Sequence, residues 1–193
     1  YAAGNGEHFG HADVHGLQRE PARAVHLAQH GNLVAAVLQQ DDVDLRLLDE
    51  ASAVAMLRRL AKRHWNDDRD LADWQRQDLM QATGRHVGLM RRCFMPVARQ
   101  ETRRPIDELC QLLLRDEGVV KECIAILDSL TQEEQDALWY AARGKQIRTD
   151  VAQRLQRKHL GQASPPGYLA LYMPVLRHFV WNRPEPKPVV TPP

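Results

Sequence analysis

From Asp49 onward the apolar positions fall at helical spacing, and the polar residues between them supply starts and stops. Behind Asp49, a side chain suited to capping, Ala51, Val54, Ala55, Met56 and Leu60 include an apolar stripe. Asp67 and Asp68 stand before Leu71, Trp74 and Leu79, and Gly84 follows as a C-terminal stop. Residues 85–100 predict a helix with Val87, Met90 and Phe94 on one face, broken or kinked at Pro96. Pro105 opens the next helix at its first position, Ile106, Leu109, Cys110 and Leu113 line its inner side, and Gly118 ends it. Val120, Cys123, Ile124 and Leu127 give the following helix its buried face. Thr131 with Glu134 makes a capping-box signature ahead of Leu138, Ala141 and Ala142, and Gly144 closes that element. Ile147, Val151, Leu155 and Leu160 mark another helix. A last one is expected to start at Ser164-Pro165-Pro166 and to carry Leu169, Tyr172, Leu176, Phe179 and Val180, kinked at Pro174.

The first part of the chain is less regular. Residues 1–21 hold four Gly and no sustained period, which predicts a mobile arm. Over residues 22–48 two patterns compete. Pro21 can open a helix interrupted at His30-Gly31-Asn32; equally, Val25 and Leu27, and then Val43, Leu45 and Leu47, alternate with polar residues as in a short β-hairpin or meander. At the other end, residues 182–193 are rich in Pro and favour polyproline II, a linker or tail. The expected fold is mainly α, an irregular multi-helix bundle formed by a single helical domain over residues 22–181.

Composition changes this picture little. The 193 residues are 44% hydrophobic and 26% charged, ordinary globular usage. Apolar runs such as residues 33–38 fall far short of the roughly 20 residues a spanning helix needs, so no membrane partner is expected. The chain does not open on a charged segment followed by an apolar one, so no secretory signal is expected. Cys93, Cys110 and Cys123 are an odd number at wide spacing, neither a disulfide framework nor a CxxC pair, which points to reduced thiols and a cytoplasmic or cytosol-like compartment. Charge is uneven. Residues 1–50 hold three Arg against eight Asp and Glu, whereas residues 51–193 hold 23 basic and 17 acidic side chains.

Two basic bands follow from that imbalance. Arg85, Arg91, Arg92, Arg99, Arg103 and Arg104 face a single acid, Glu101; Arg143, Lys145, Arg148, Arg154, Arg157 and Lys158 face Asp150. Guanidinium groups gathered on adjoining helices would neutralise phosphates and release counterions, a nucleic-acid footprint. The plainer account is a solvated helix surface enriched in Arg by coding bias. Within this region Leu130-Thr131-Gln132-Glu133-Glu134, with Leu138, Ala142 and Gly144, resembles the opening of a LuxR-type helix-turn-helix domain. Val151-Ala152 and Leu155 echo that family's next helix with one extra residue inserted. The resemblance spans residues 130–155 and implies DNA binding. It stops where the recognition helix should follow, at residues 161–167 and an apolar segment better suited to a core.

Other chemistry is thin. His8, His11 and His15, with His26 and His30, would share helix faces and suit zinc or nickel, but Gly6, Gly10 and Gly16 argue against a stable helix there. Cys93 has Arg91 and Arg92 beside it to favour a thiolate, and His86 seven residues back, yet Phe94 and Met95 follow it and nothing marks an oxyanion site. The paired acids Asp67-Asp68 and Glu133-Glu134 sit where helix N-termini are expected, so the macrodipole accounts for them. No phosphate-binding Gly loop, Ser-His-Asp grouping or dinucleotide fingerprint is present, so no cofactor is expected. Trp65 and Trp181, near helix ends beside Arg63 and Arg183, are either packing anchors or partner-binding hot spots. Three functions therefore remain. The first is a non-catalytic helical module that binds a partner protein; the second is a nucleic-acid-binding regulator; the third is an enzyme whose site assembles only in three dimensions.

Overall fold

The computed structural model describes residues 47–65 and 69–186. Over these residues the chain is mainly α, with eight helices and one two-stranded antiparallel sheet. The competing readings of residues 22–48, and the arm at residues 1–21, fall almost entirely outside them.

Helix α1 (Glu50–Trp65) starts where Asp49 caps it, the carboxylate accepting from Ser52 N at 2.7 Å and from Ser52 Oγ at 3.0 Å. Its buried face is Ala53, Met56, Leu57, Leu60 and Ala61, so the stripe is rotated from the expected one and Ala51 is exposed. Helix α2 (Asp73–Thr83) ends at Gly84, whose φ of +58° supplies the left-handed stop. The backbone of Tyr172 passes so close that a Cβ on Gly84 would lie 2.3 Å from its carbonyl oxygen, so glycine is required twice over.

Helix α3 (Val87–Ala98) runs through the centre and buries Leu89, Met90, Cys93, Phe94 and Val97. Pro96 does not break it. It sits in the last turn, where only one internal hydrogen bond is forfeited, and Gln75 Nε2 donates to the carbonyl of Gln100 at 2.9 Å just beyond the helix end. Helix α4 (Ile106–Leu113) ends five residues before Gly118 and not at it. Gly118 belongs to the first turn of α5 (Glu117–Asp128), where Asp116 caps and accepts from Gly118 N at 2.9 Å and Val119 N at 3.2 Å. That shift turns the inner face of α5 to Val119, Cys123, Ile126 and Leu127 and leaves Ile124 exposed.

Helix α6 (Gln132–Ala142) begins at the capping box: Thr131 Oγ1 accepts from Glu134 N at 3.3 Å and Thr131 N donates to Glu134 Oε2 at 2.9 Å. Gly144, at φ +66°, closes the turn after it. Helix α7 (Thr149–Arg157) buries Val151, Ala152 and Leu155.

The next element differs from the sequence expectation. Residues from Ser164 do not start a helix; β1 (Gly161–Ser164) and β2 (Tyr168–Leu171) pair antiparallel, Gly161 opposite Leu171 and Ser164 opposite Tyr168. Pro165-Pro166-Gly167 forms the reversal, and Gly167 at φ +103° approaches Ile147, whose N–H donates to the Gly167 carbonyl at 2.9 Å. Leu169 is buried while Tyr168 and Ala170 are exposed, the period of a strand. Helix α8 (Pro174–Trp181) starts at Pro174, which occupies the first turn rather than kinking an interior. It packs on α2, α4, α5 and α6 together and so closes the bundle.

Candidate functional site

Helix α8 is short and two-sided. Val175, Leu176 and Val180 face the core, which leaves Arg177, His178 and Trp181 toward the outside; Arg177 and Trp181 are four residues apart and share one face. On the neighbouring helix α4, Asp107 and Gln111 are exposed at the same spacing. The C-terminus of α6 brings Arg143 and Gly144. Together these side chains line a cleft of about 790 Å³ between α4, α6 and α8.

Arg143 builds the wall between this cleft and the core. Its guanidinium lies 3.5 Å from the centroid of the Trp139 ring and 5.3 Å from that of Trp181. The fork donates to the Trp139 carbonyl at 3.0 Å, to the Trp181 carbonyl, and to the Arg183 carbonyl at 3.3 Å. The last two belong to the end of α8, where carbonyls lack intrahelical donors, so Arg143 caps one helix from the end of another. Trp139 Nε1 adds a second donor to the Arg183 carbonyl at 3.1 Å.

Across the cleft Asp107 carries the single anion of the lining. His178 Nε2 lies 2.8 Å and Arg177 Nη2 3.4 Å from the same oxygen, Asp107 Oδ1. The hydrogen bond from His178 is the main cause that holds the Asp107 carboxyl below its ordinary value. The other nitrogens of Arg177, the side-chain amides of Gln111 and Asn182, and the Trp181 indole N–H make no intramolecular hydrogen bond among the described residues. Trp181 is 53% exposed, the largest such value for a large apolar side chain among the described residues.

The two basic bands are treated differently by the fold. In the second, Arg148 Nη1 meets Glu133 Oε1 at 2.7 Å and Arg148 Nη2 meets Asp150 Oδ2 at 2.9 Å. Arg154 pairs with Glu133, and Lys158 Nζ donates to Glu134 Oε2 at 2.7 Å. Three of these cations are thus held by acids at the start of α6 and α7, and Arg157 is exposed with no ion-pair partner among the described residues. In the first band Arg103 binds the buried Asp78 at 2.9 Å, Arg92 stands 4.0 Å from Glu122, and Arg104 Nε donates to Gln100 at 3.1 Å. Arg85, Arg91 and Arg99 lie on α3 or beside it, Arg85 at a left-handed φ of +63°.

Trp65 is half-buried, its ring 5.5 Å from that of Phe94, so it packs on the core while Trp181 projects. His8, His11 and His15 lie outside the described residues, within which no group of three or more His, Cys, Asp or Glu side chains is placed to hold a metal ion. Cys93 is fully buried, and burial first of all pushes its thiol well above its ordinary value, which removes the thiolate a nucleophile needs. The two helices suggested by the helix-turn-helix resemblance over residues 130–155 are present as α6 and α7, but a β-hairpin follows in place of a recognition helix.

Trp181 and Arg143 stand out in the sequence, whereas Asp107, Gln111, Arg177 and His178 do not. Nothing local could mark them, because Asp107 and His178 are 71 residues apart and meet only through α4–α8 packing. No helix of the described residues is long and apolar enough to cross a membrane. Comparison with protein-family models, with curated proteins and with solved structures found no match.

Proposed function

We propose that this chain is a non-catalytic helical interaction module that docks a partner protein in the cleft between α4, α6 and α8. The observation that carries this reading is Trp181: a large aromatic side chain left exposed on the rim of a concave surface, stacked against an Arg that is itself locked in place. Trp and Arg dominate the energetics of protein interfaces, because each buries a large area for little lost side-chain freedom once preorganised. Free amide and guanidinium donors around the indole offer the polar contacts that fix register.

The test is selection of peptides from a displayed random library on the wild-type protein, with counter-selection on Trp181→Ala. Peptides that bind the first and not the second support docking at the cleft. Binders that ignore Trp181 would place recognition elsewhere and end this reading.

A second reading, a nucleic-acid-binding regulator, has one observation in its favour. The hairpin beside α7 exposes Tyr168 and Tyr172, and Arg157 and Gln153 are exposed on α7 itself, so aromatic and basic groups lie on neighbouring elements. Against it stands the use of Arg148, Arg154 and Lys158 as partners for acids of this same chain. Fluorescence anisotropy of labelled duplex and single-stranded DNA at two salt concentrations separates the readings, since phosphate contacts must weaken steeply with salt. Pairwise replacement of Arg91 with Arg92, and of Arg154 with Arg157, by Ala would then locate the surface.

A further inference from the structure

We infer that the segment docked in the α4–α8 cleft is acidic: a carboxylate of the partner takes the open donors of Arg177, and an apolar side chain beside it lies on Trp181. This inference rests on the docking reading above and adds the chemistry of the occupant.

Charge is the first argument. Arg143 and Arg177 line the cleft, and Asp107 is the one acid among the lining residues. Carbonyl acceptors satisfy the donors of Arg143 without cancelling its charge, so the wall behind Trp181 stays positive. A basic segment would meet that wall as a like charge.

Geometry is the second. Asp107 uses one oxygen for both His178 and Arg177, and its contact to Arg177 is the longer at 3.4 Å. Arg177 therefore keeps most of its planar fork, the group that matches a second carboxylate in a bidentate pair. Trp181 lies one helical turn further along the same face. An acidic residue and an apolar neighbour on an extended or helical peptide span that step.

The same features favour a carboxylate over a polynucleotide. The donors form one cleft rather than a track, so they suit one incoming carboxylate at Arg177 better than a run of phosphates. Asp107 also acts as a built-in competitor, occupying part of the site until the partner arrives.

The experiment follows the Trp181 indole and Arg177 Nε–H resonances of the whole chain by NMR. Gly/Ser-rich peptides are added that carry one Leu flanked by Glu, by Gln or by Lys, and in a separate arm a single-stranded oligonucleotide. The Glu peptide is expected to shift both resonances and to bind about tenfold tighter than the Gln peptide, with the Lys peptide weakest. Asp107→Asn should tighten the Glu peptide about threefold by removing the competitor, and the exposed Gln111→Lys should tighten it while Gln111→Glu weakens it. Equal shifts from all three peptides would overturn the acidic inference and leave docking at Trp181 standing. An oligonucleotide that binds where the Glu peptide does not would overturn it as well. No shift from any peptide also overturns the inference, and the library selection then decides alone whether the cleft docks protein at all.

Discussion

Lys158 Nζ donates to Glu134 Oε2 at 2.7 Å, and the same oxygen accepts from Thr131 N at 2.9 Å. One carboxylate thus completes the cap of α6 and holds the end of α7. Glu134 is 2% exposed, a depth at which an acid needs such partners. Burial by itself would raise its pKa, but the bonds from Lys158 and Thr131 outweigh it and leave the value below the ordinary one. A carboxyl depressed on folding stabilises fully above the ordinary carboxylate range, and that contribution is lost as pH falls through the depressed value. Glu134→Gln should therefore lower stability by about 1–2 kcal/mol at neutral pH. It should also flatten the acid limb of a urea-midpoint-versus-pH curve. A midpoint unchanged at neutral pH would contradict the double role.

Gly84 and Gly144 both adopt left-handed φ, at +58° and +66°, yet only the first has neighbours in the way. Nothing lies within 4 Å of a Cβ on Gly144, whereas one on Gly84 meets Tyr172. Gly144→Ala should cost about 1 kcal/mol, the backbone strain alone. Gly84→Ala should cost about 2–4 kcal/mol, with the difference set by displacement of the hairpin exit. Denaturant melts of the two variants give that difference directly.

Cys93, Cys110 and Cys123 are all buried, and burial pushes Cys110 and Cys123 up to about 12. None should react with an aromatic disulfide reagent at pH 8 on the time scale of an exposed thiol, and all three should react on unfolding. Labelling rates should track global stability across a urea series. Rapid native-state labelling of Cys93 would mean a thiol open to solvent.

Arg143 can be tested apart from the docking reading. Arg143→Lys keeps the charge but loses the fork that reaches three carbonyls, so about 1–3 kcal/mol should go with it. Quenching of Trp139 fluorescence by acrylamide should rise, because the indole loses both its stacked cation and a fixed Arg183 carbonyl.

The residues legible in the sequence are those whose signals are local. Thr131 and Glu134 announce the start of α6 three positions apart, and Gly84 and Gly144 announce stops, because caps involve neighbours in sequence. Leu169 and Leu171 mislead, since a short run with apolar residues at every second and every third position fits both periods. Pro165-Pro166-Gly167 is the stronger signal there, and it marks a turn. On α5, Gly118 reads as an end, although Asp116 two residues earlier is the cap of a new helix. The cleft is out of reach for a different reason. Asp107 and His178 carry no pattern in common, and only the packing of α8 across α4 brings them together.

That packing has a consequence for how the chain acquires its structure. Helix α8 is the last described element, and it rests on α2, α4, α5 and α6 at once. Closing those contacts demands that distant parts of the chain find one another, which is the slow kind of folding step. The earlier helices pack on one another without α8, but the apolar surface that α8 covers on α2, α4, α5 and α6 is closed only once Pro174–Trp181 is in place. The cleft between α4, α6 and α8 then forms together with the final closure of the core, so a chain cut short before Pro174 would present no cleft.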